Sequence, residues 1–291
     1  MSPADFIHPE DAAALRQMEA LPGFPQLVKK ILALGIEQMQ YGVNMASSIR
    51  LSEKQLPNVY RHLPPICEKL GIPEPEFYLQ MDPYPNAWTM GDTRIWITIT
   101  SGLLETMTDE ELDAIIAHEC GHILCRHVLY HTLAMWITKG LTSGGVLDKL
   151  ALPIQYALLY WERKSELSAD RAAAIITSPT VVAQTMARFS GGPRELTKDV
   201  DIHEWAAQAD NYEAIRNDGL WNKALQLSVI AELDHPFAAV RVREILKWEQ
   251  SEQYKNLINH PTPMAAQLCP SCGRPIDSTW QFCKHCGTRL I

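Results

Sequence analysis

The chain has 291 residues, 46% hydrophobic and 21% charged, with 26 Lys plus Arg against 34 Asp plus Glu and a formal net charge of -8. That apolar content is ample for a buried core and excludes wholesale disorder. The acidic balance offers no broad positive field to a phosphate backbone, which argues against nucleic acid as the principal ligand of the whole chain.

The length suits one large domain or two ordinary ones. Residues 1–10 hold Asp5 and Glu10, with neither the cationic run nor the apolar stretch of a secretory signal, so a cytoplasmic location is expected. Leu27, Ile31, Leu34 and Met39 recur at helical spacing and Leu21-Pro22-Gly23 interrupts the pattern, predicting two helices between residues 10 and 50. A further helix over residues 57–70 should end at Gly71, after which Pro73 and Pro75 prevent its continuation. Residues 77–80 begin a sheet, and residues 86–90, Gly91-Asp92 and the β-branched run 93–100 read as a hairpin. In that last run Ile95, Ile97 and Ile99 alternate with Arg94, Trp96, Thr98 and Thr100, so the isoleucine face is expected on the core.

Thr108 with Glu111 forms a capping box, and Asp109, Glu110 and Glu111 suit the positive end of the helix that follows, which is expected to run to about residue 138. Residues 140–145 read as a flexible connection, and a second long helix over residues 154–177 should stop before Pro179. Helical pattern fills residues 181–248, with interruptions at Gly191-Gly192-Pro193 and His235-Pro236, and the polar stretch 249–267 with Pro261 and Pro263 reads as a linker. The longest apolar stretches, residues 127–138 and 150–161, fall short of the roughly 18–20 residues a bilayer span needs, so no transmembrane helix is expected. Four of the seven cysteines form two C-x-x-C pairs near the end of the chain, leaving Cys67, Cys120 and Cys125 as reduced thiols.

His118-Glu119-Cys120-Gly121-His122 fits H-E-x-x-H and lies inside the capped helix. Residues four apart leave one helical face, so both imidazoles can meet one cation while Glu119 lies beside them to reach a water on it. A catalytic zinc takes three protein ligands and keeps a position open, so a third ligand is needed. Glu166 and Asp170 share a face of the second long helix, and two antiparallel helices with a modest loop bring Glu166 to the metal and leave Asp170 to orient a ligand histidine. The plainer reading makes them exposed charges beside Arg163 and Arg171. His127 and His131 are also four apart, but five residues beyond His122 a continuous helix turns them to another face, so they are set aside as ligands. Cys120 is read as packing.

In these motifs the chain resembles the zinc metallopeptidases that include HtpX-like heat-shock proteases and the type I CAAX prenyl endopeptidase. R-x-x-E-x-x-A-D appears as Arg163, Glu166, Ala169 and Asp170; Asn86-Ala87-Trp88 occupies the place of the N-A-F segment; and His235-Pro236 with Arg241 resembles the later H-P motif. The similarity spans residues 56–246 in the expected order. It implies a gluzincin fold, mainly α (α+β), with a small β-sheet before the active-site helix, zinc on His118, His122 and Glu166, and Glu119 as the general base. It also implies His235 as a donor to the tetrahedral oxyanion and Asn86 as a substrate contact, while the strand of Asn86, Ala87 and Trp88 could hold an extended polypeptide by edge pairing. Arg241 reads as a buried ion-pair partner. Members of the two named types carry transmembrane helices around the catalytic core and this chain shows none by length. Its apolar residues between 127 and 161 are therefore either core or a surface resting on a bilayer or a partner.

Cys269-Pro270-Ser271-Cys272-Gly273 and Cys283-Lys284-His285-Cys286-Gly287 are paired C-x-x-C-G knuckles. Such knuckles bind a structural zinc through four thiolates, and so short a segment cannot build a sufficient core without metal. The segment resembles a zinc ribbon. Four thiolates leave no open position for catalysis, and the added negative charge cancels the surplus of Arg274, Lys284 and Arg289 over Asp277, which directs the ribbon to a protein partner. The expected organisation is a metallopeptidase domain over residues 1–248, a linker over 249–267 and the ribbon over 268–291. One catalytic and one structural zinc, and a polypeptide substrate, follow from it. The competing class is a silent peptidase-fold scaffold that binds partners through the ribbon, which the presence of all three ligands and the base weakens.

Overall fold

A computed structural model of the chain describes residues 1–24, 26, 28, 35–138, 152–217, 237–259, 267–268, 275–276 and 288. The N-terminal helices are α1 (Pro9–Glu19), α2 (Ile36–Ser47) and α3 (Leu63–Leu70). The helix expected over residues 57–70 is divided: a single turn, Pro57–Tyr60, precedes α3. Prolines 64 and 65 explain the break, because each lacks an N–H and its ring obstructs the carbonyl four residues earlier, so they open a helix and cannot extend one. α3 ends at Gly71 in the left-handed region at φ 75°, with the Gly71 N–H donating to the Cys67 carbonyl at 2.8 Å.

The sheet contains β1 (Ile49–Arg50), β2 (Glu76–Gln80), β3 (Ala87–Met90) and β4 (Trp96–Thr100), in spatial order β1-β2-β4-β3. β2 and β4 run parallel, Glu76 opposite Trp96, while β3 returns antiparallel to β4, Ala87 opposite Ile99 and Met90 opposite Trp96. β3 is therefore an edge strand. Ile97 and Ile99 face the main core as expected, but every residue of β4 is buried. The supposedly outward face is covered by α2, whose Tyr41 ring stands edge-on to Trp96 at 5.6 Å and whose Asn44 accepts from the Thr98 hydroxyl at 3.2 Å. An alternating pattern marks two faces without revealing what covers the second.

The remaining long helices are α4 (Asp109–Leu124), α5 (Val128–Thr138), α6 (Leu152–Ile176), α7 (Pro179–Gly191), α8 (Ile202–Asn217), α9 (Ala238–Glu249) and α10 (Glu252–Asn259). The capping box of α4 is formed: the Glu111 N–H donates to Thr108 Oγ1 at 3.2 Å and the Thr108 N–H to Glu111 Oε2 at 2.9 Å. The helix does not run on to residue 138. Arg126 takes a left-handed conformation at φ 61°. Its N–H then reaches the Ile123 carbonyl at 3.0 Å and the His127 N–H reaches the His122 carbonyl at 2.9 Å, the two bonds of a Schellman stop. Without a glycine, that stop carries no sequence signal.

α4 and α6 pack closely at small residues. A Cβ on Gly121 would lie 2.7 Å from the Ala172 Cβ and 3.1 Å from the Ala169 Cα, so glycine sets the approach of the two helices. A second core lies beneath α1, where Ala14 and Met18 meet Leu133, Ala134, Leu158 and Trp161. Where described, the apolar stretch 127–138 is buried or half-buried, whereas 150–161 turns Ile154, Leu158 and Trp161 into this core and leaves Tyr156 and Tyr160 exposed. Among the described residues no helix is long and apolar enough to cross a membrane. Within the stretch expected as a linker, residues 252–259 are helical: Ser251 Oγ accepts from the Tyr254 N–H at 3.2 Å, the Tyr254 ring lies 4.9 Å from Trp248, and Gln253 donates to the Asp5 carbonyl at 2.8 Å. Near the C-terminus, β5 (Gln267–Leu268) pairs antiparallel with β6 (Pro275–Ile276). Those strands flank the first C-x-x-C pair, while Cys269, Cys272, Cys283, Cys286 and His235 lie outside the described residues.

Candidate active site

The close crossing of α4 and α6 brings three side chains to one point. His118 Nε2 and His122 Nε2 are 3.1 Å apart; Glu166 Oε2 lies 3.4 Å from the first and Glu166 Oε1 3.3 Å from the second. Donors about 2.0–2.1 Å from one tetrahedral ion would stand roughly 3.4 Å from each other. The three residues are buried, and nitrogen and carboxylate oxygen are the donors zinc takes, so this set fits a zinc ion and leaves a fourth position. Cys67, Cys120 and Cys125 are free, buried thiols.

The charges around the triad are arranged for a cation. Asp170 Oδ1 lies 3.0 Å from His118 Nδ1, which turns that ring's other nitrogen toward the centre. Arg241 donates from Nε to Asp170 Oδ2 at 2.8 Å and from Nη2 to Asp170 Oδ1 at 2.6 Å, and its Nη1 lies 2.9 Å from Glu166 Oε2. Burial works against the charge on each carboxylate, but the Arg241 charge and the histidine contacts outweigh it. They hold Glu166 well below the usual carboxylate range and Asp170 below it. Burial likewise opposes a charge on His118, yet hydrogen bonds to Asp170 and Glu166 push that imidazole up to about 9. Burial and the neighbouring His118 lower His122 instead, so the positive charge is favoured at His118, beside Asp170 and Glu166.

Glu119 is buried beside the triad, and Thr89 on β3 donates to its Oε2 at 2.6 Å. Neighbouring Ala87 points to the same side, as alternate residues of a strand do. Asn86 is turned onto its own backbone: its Oδ1 accepts from the Ala87 N–H at 2.9 Å, and its N–H donates to Thr100 Oγ1 at 2.9 Å. Trp88 takes the opposite face of β3, against the cluster of Tyr78, Met90 and Trp96. Along this edge runs a cleft of about 410 Å³ whose walls include Trp88, Glu119, His131, Glu162 and Glu166. On the other side of Glu119 lies a more apolar pocket of about 230 Å³, walled by Ile115, Val182, Met186 and Phe189. Glu119 and Ala87 line both.

His118, Glu119, His122, Glu166 and Asp170 thus converge, with Ala87 alongside and Arg241 in the buried pairing expected of it. His127 departs from the expectation. The stop at Arg126 folds it back, so its Nδ1 lies 3.1 Å from His122 Nδ1, and the His131 ring centroid is 4.5 Å from that of His122. The assumption of one continuous helix had sent both rings elsewhere. Thr89 was also not foreseen, although strand alternation from Ala87 would have indicated it. Asp11, which accepts from Trp161 Nε1 at 3.0 Å and from Ser168 Oγ at 2.5 Å, had no signal at all.

Two histidines one helical turn apart, a glutamate from an antiparallel helix and a second glutamate beside them define a metallopeptidase centre of the gluzincin kind. The chain belongs to peptidase family M48, whose model matches residues 52–249. Residues 267–290 match a zinc-ribbon domain. The chain is 31% identical over 259 residues to the plastoglobule-localized metallopeptidase 48, chloroplastic, of Arabidopsis thaliana, covering 87% of this chain and 75% of that protein. It is 28% identical over 213 residues to a protease HtpX homolog of Tropheryma whipplei, covering 60% and 73%, and 26% identical over 259 residues to one of Ralstonia pickettii, covering 77% and 87%. No solved structure matches it.

Proposed function

We propose that the protein is a zinc-dependent endopeptidase in which His118, His122 and Glu166 hold the catalytic ion and Glu119 is the general base. The observation that carries this reading is the buried meeting of two imidazole nitrogens and a carboxylate at 3.1–3.4 Å, with an acid alongside. Zinc, when bound, supplies Lewis acidity that lowers the pKa of water and polarises a carbonyl. Thr89 occupies Glu119 Oε2, which leaves Oε1 to receive the proton of the attacking water and deliver it to the amine nitrogen as the C–N bond breaks. Asp170 and Arg241 keep His118 and Glu166 in place during that exchange.

The edge of β3 supports binding of an extended polypeptide by backbone pairing beside Asn86, Ala87 and Trp88. The chain then crosses Glu119 and can place an apolar side chain among Ile115, Val182 and Met186. Two openings on either side of the base favour cleavage within a chain over removal of a terminal residue. His235 remains the proposed oxyanion donor. Cys269, Cys272, Cys283 and Cys286 are proposed to hold a second, structural zinc in a ribbon that engages a protein partner, and a cytoplasmic location belongs to the same proposal.

Metal analysis of purified variants tests the ligand set. His118→Ala and Glu166→Ala should each lose one zinc per chain relative to wild type. Full zinc content with either side chain removed would contradict it.

A further inference from the structure

Resting on the reading of His122 as a zinc ligand, we infer that Asp11 and His127 form a proton-ordered relay that positions His122, so that the N-terminal helix is part of the metal centre. The relay is built from three elements. α4 supplies His122, the turn at Arg126 returns His127 against it, and α1 supplies Asp11 from outside the segment that matches the peptidase family.

The proton positions follow from the geometry. A neutral imidazole that offers Nε2 to a metal carries its hydrogen on Nδ1. On His122 that Nδ1–H meets His127 Nδ1 at 3.1 Å, which must then be the acceptor and leaves the His127 hydrogen on Nε2. His127 Nε2 lies 3.1 Å from Asp11 Oδ2, off the axis of the ring N–H, so charge and proximity hold this last link more than alignment does. His127 and Asp11 are both fully buried. Asp11 is held by the Trp161 and Ser168 donors, which fixes a carboxylate where only an acceptor suits the chain of protons. A carboxylate behind a metal-bound histidine orients its ring and raises its basicity, and loss of such a partner weakens metal binding about 10–100-fold.

His122, His127 and His131 also stand close enough to share an ion. Such an ion would need His122 to bind through both ring nitrogens and give up its remaining proton, whereas the relay uses the same contacts with neutral rings.

Asp11→Asn provides the test, because the amide oxygen can keep the place of Oδ1 as acceptor for Trp161 while its N–H2 takes the place of Oδ2, facing His127 Nε2 and Ser168 Oγ, a hydroxyl that can turn to accept. That reverses the His127 tautomer and sets two N–H groups against each other at His122. The full-length protein is compared with Asp11→Asn, His127→Gln, His127→Phe and the double variant Asp11→Asn/His127→Gln. Zinc affinity is read by competition with a chromogenic chelator, and the melting temperature of the metal-free protein reports the fold. His122→Ala identifies the ion in question by releasing it; if zinc is retained there, the ligand reading itself fails. With that control in place, Asp11→Asn should bind this ion at least about tenfold more weakly, while the metal-free protein still unfolds in one cooperative transition. His127→Gln, whose amide oxygen can accept from His122, should bind it more tightly than His127→Phe, and adding Asp11→Asn to His127→Gln should cost nothing further. Affinity within about twofold of wild type in Asp11→Asn overturns the relay, as does an equal loss in the His127→Gln background. If Asp11→Asn fails to fold, the two His127 variants decide: equal affinities refute the relay. A third zinc ion held by wild type and lost with His127→Phe would instead establish the bridging ion and also refute it.

Discussion

Arg241→Met removes the charge that ties α6 to α9 through Glu166 and Asp170 while preserving most of the side chain's length. Asp170 and Glu166 are 2% and 3% exposed, and the guanidinium supplies contacts of 2.6 and 2.8 Å to the first and 2.9 Å to the second. Without it, the metal-free protein loses the guanidinium that the two buried carboxylates share. Removing one partner of a buried ion pair costs about 3–5 kcal/mol, a large share of a total stability of about 5–15 kcal/mol. With zinc bound, the ion compensates Glu166, and the loss reduces to the hydrogen bonds to Asp170, about 1.5–3 kcal/mol. Urea unfolding followed by tryptophan fluorescence, once with chelator and once with saturating zinc, measures both values. Any contribution of the ribbon metal is common to wild type and variant and cancels in the difference. A destabilisation below about 1 kcal/mol without metal, or the same loss with and without zinc, would refute the role given to Arg241.

Gly121→Ala should destabilise the fold by about 1–3 kcal/mol and weaken zinc binding, because its new methyl would force α4 and α6 apart at a 2.7 Å approach; a variant with wild-type melting temperature and metal affinity would show that the crossing can yield. His8 accepts from the Glu10 N–H at the start of α1 through Nδ1, and burial together with the nearby Arg171 charge lowers its pKa to about 4. Since the folded value lies below the unfolded one, its contribution is complete above about pH 6.5 and is lost as pH falls toward 4, amounting to roughly 1–3 kcal/mol. His8→Asn should reduce that part of the acid sensitivity in urea unfolding measured between those limits, and an unaltered pH profile would contradict it. Cys269→Ser should release one zinc and leave cleavage by the other centre intact, checked by metal content and peptide hydrolysis together; retention of both ions would contradict the ribbon assignment.

The candidate centre was readable where it is local. H-E-x-x-H within a capped helix places two imidazoles by the pitch of the helix, and Glu166 with Asp170 share a face by the same arithmetic. The glycine between the histidines, which permits the approach of α6, was present in the motif but its partner surface was not. The surroundings depend on contacts between distant residues. Arg126 stops α4 in a conformation that glycine usually adopts, so the return of His127 had no local sign. Asp11 approaches from the other end of the chain. The burial of Trp96 and Thr98 depended on α2, and the helix at 252–259 on an anchor formed by Trp248 and Asp5. Periodicity describes a segment's own faces, and these outcomes were decided by what packs against them.

Side-by-side zinc analysis and peptide-library cleavage by wild type and Glu119→Gln test the central claim most directly. Two zinc ions in both proteins, with internal peptide bonds cut only by wild type, is the expected result. Equal cleavage by the two would contradict Glu119 as the base, and two zinc ions with no cleavage by wild type would point to a silent peptidase fold.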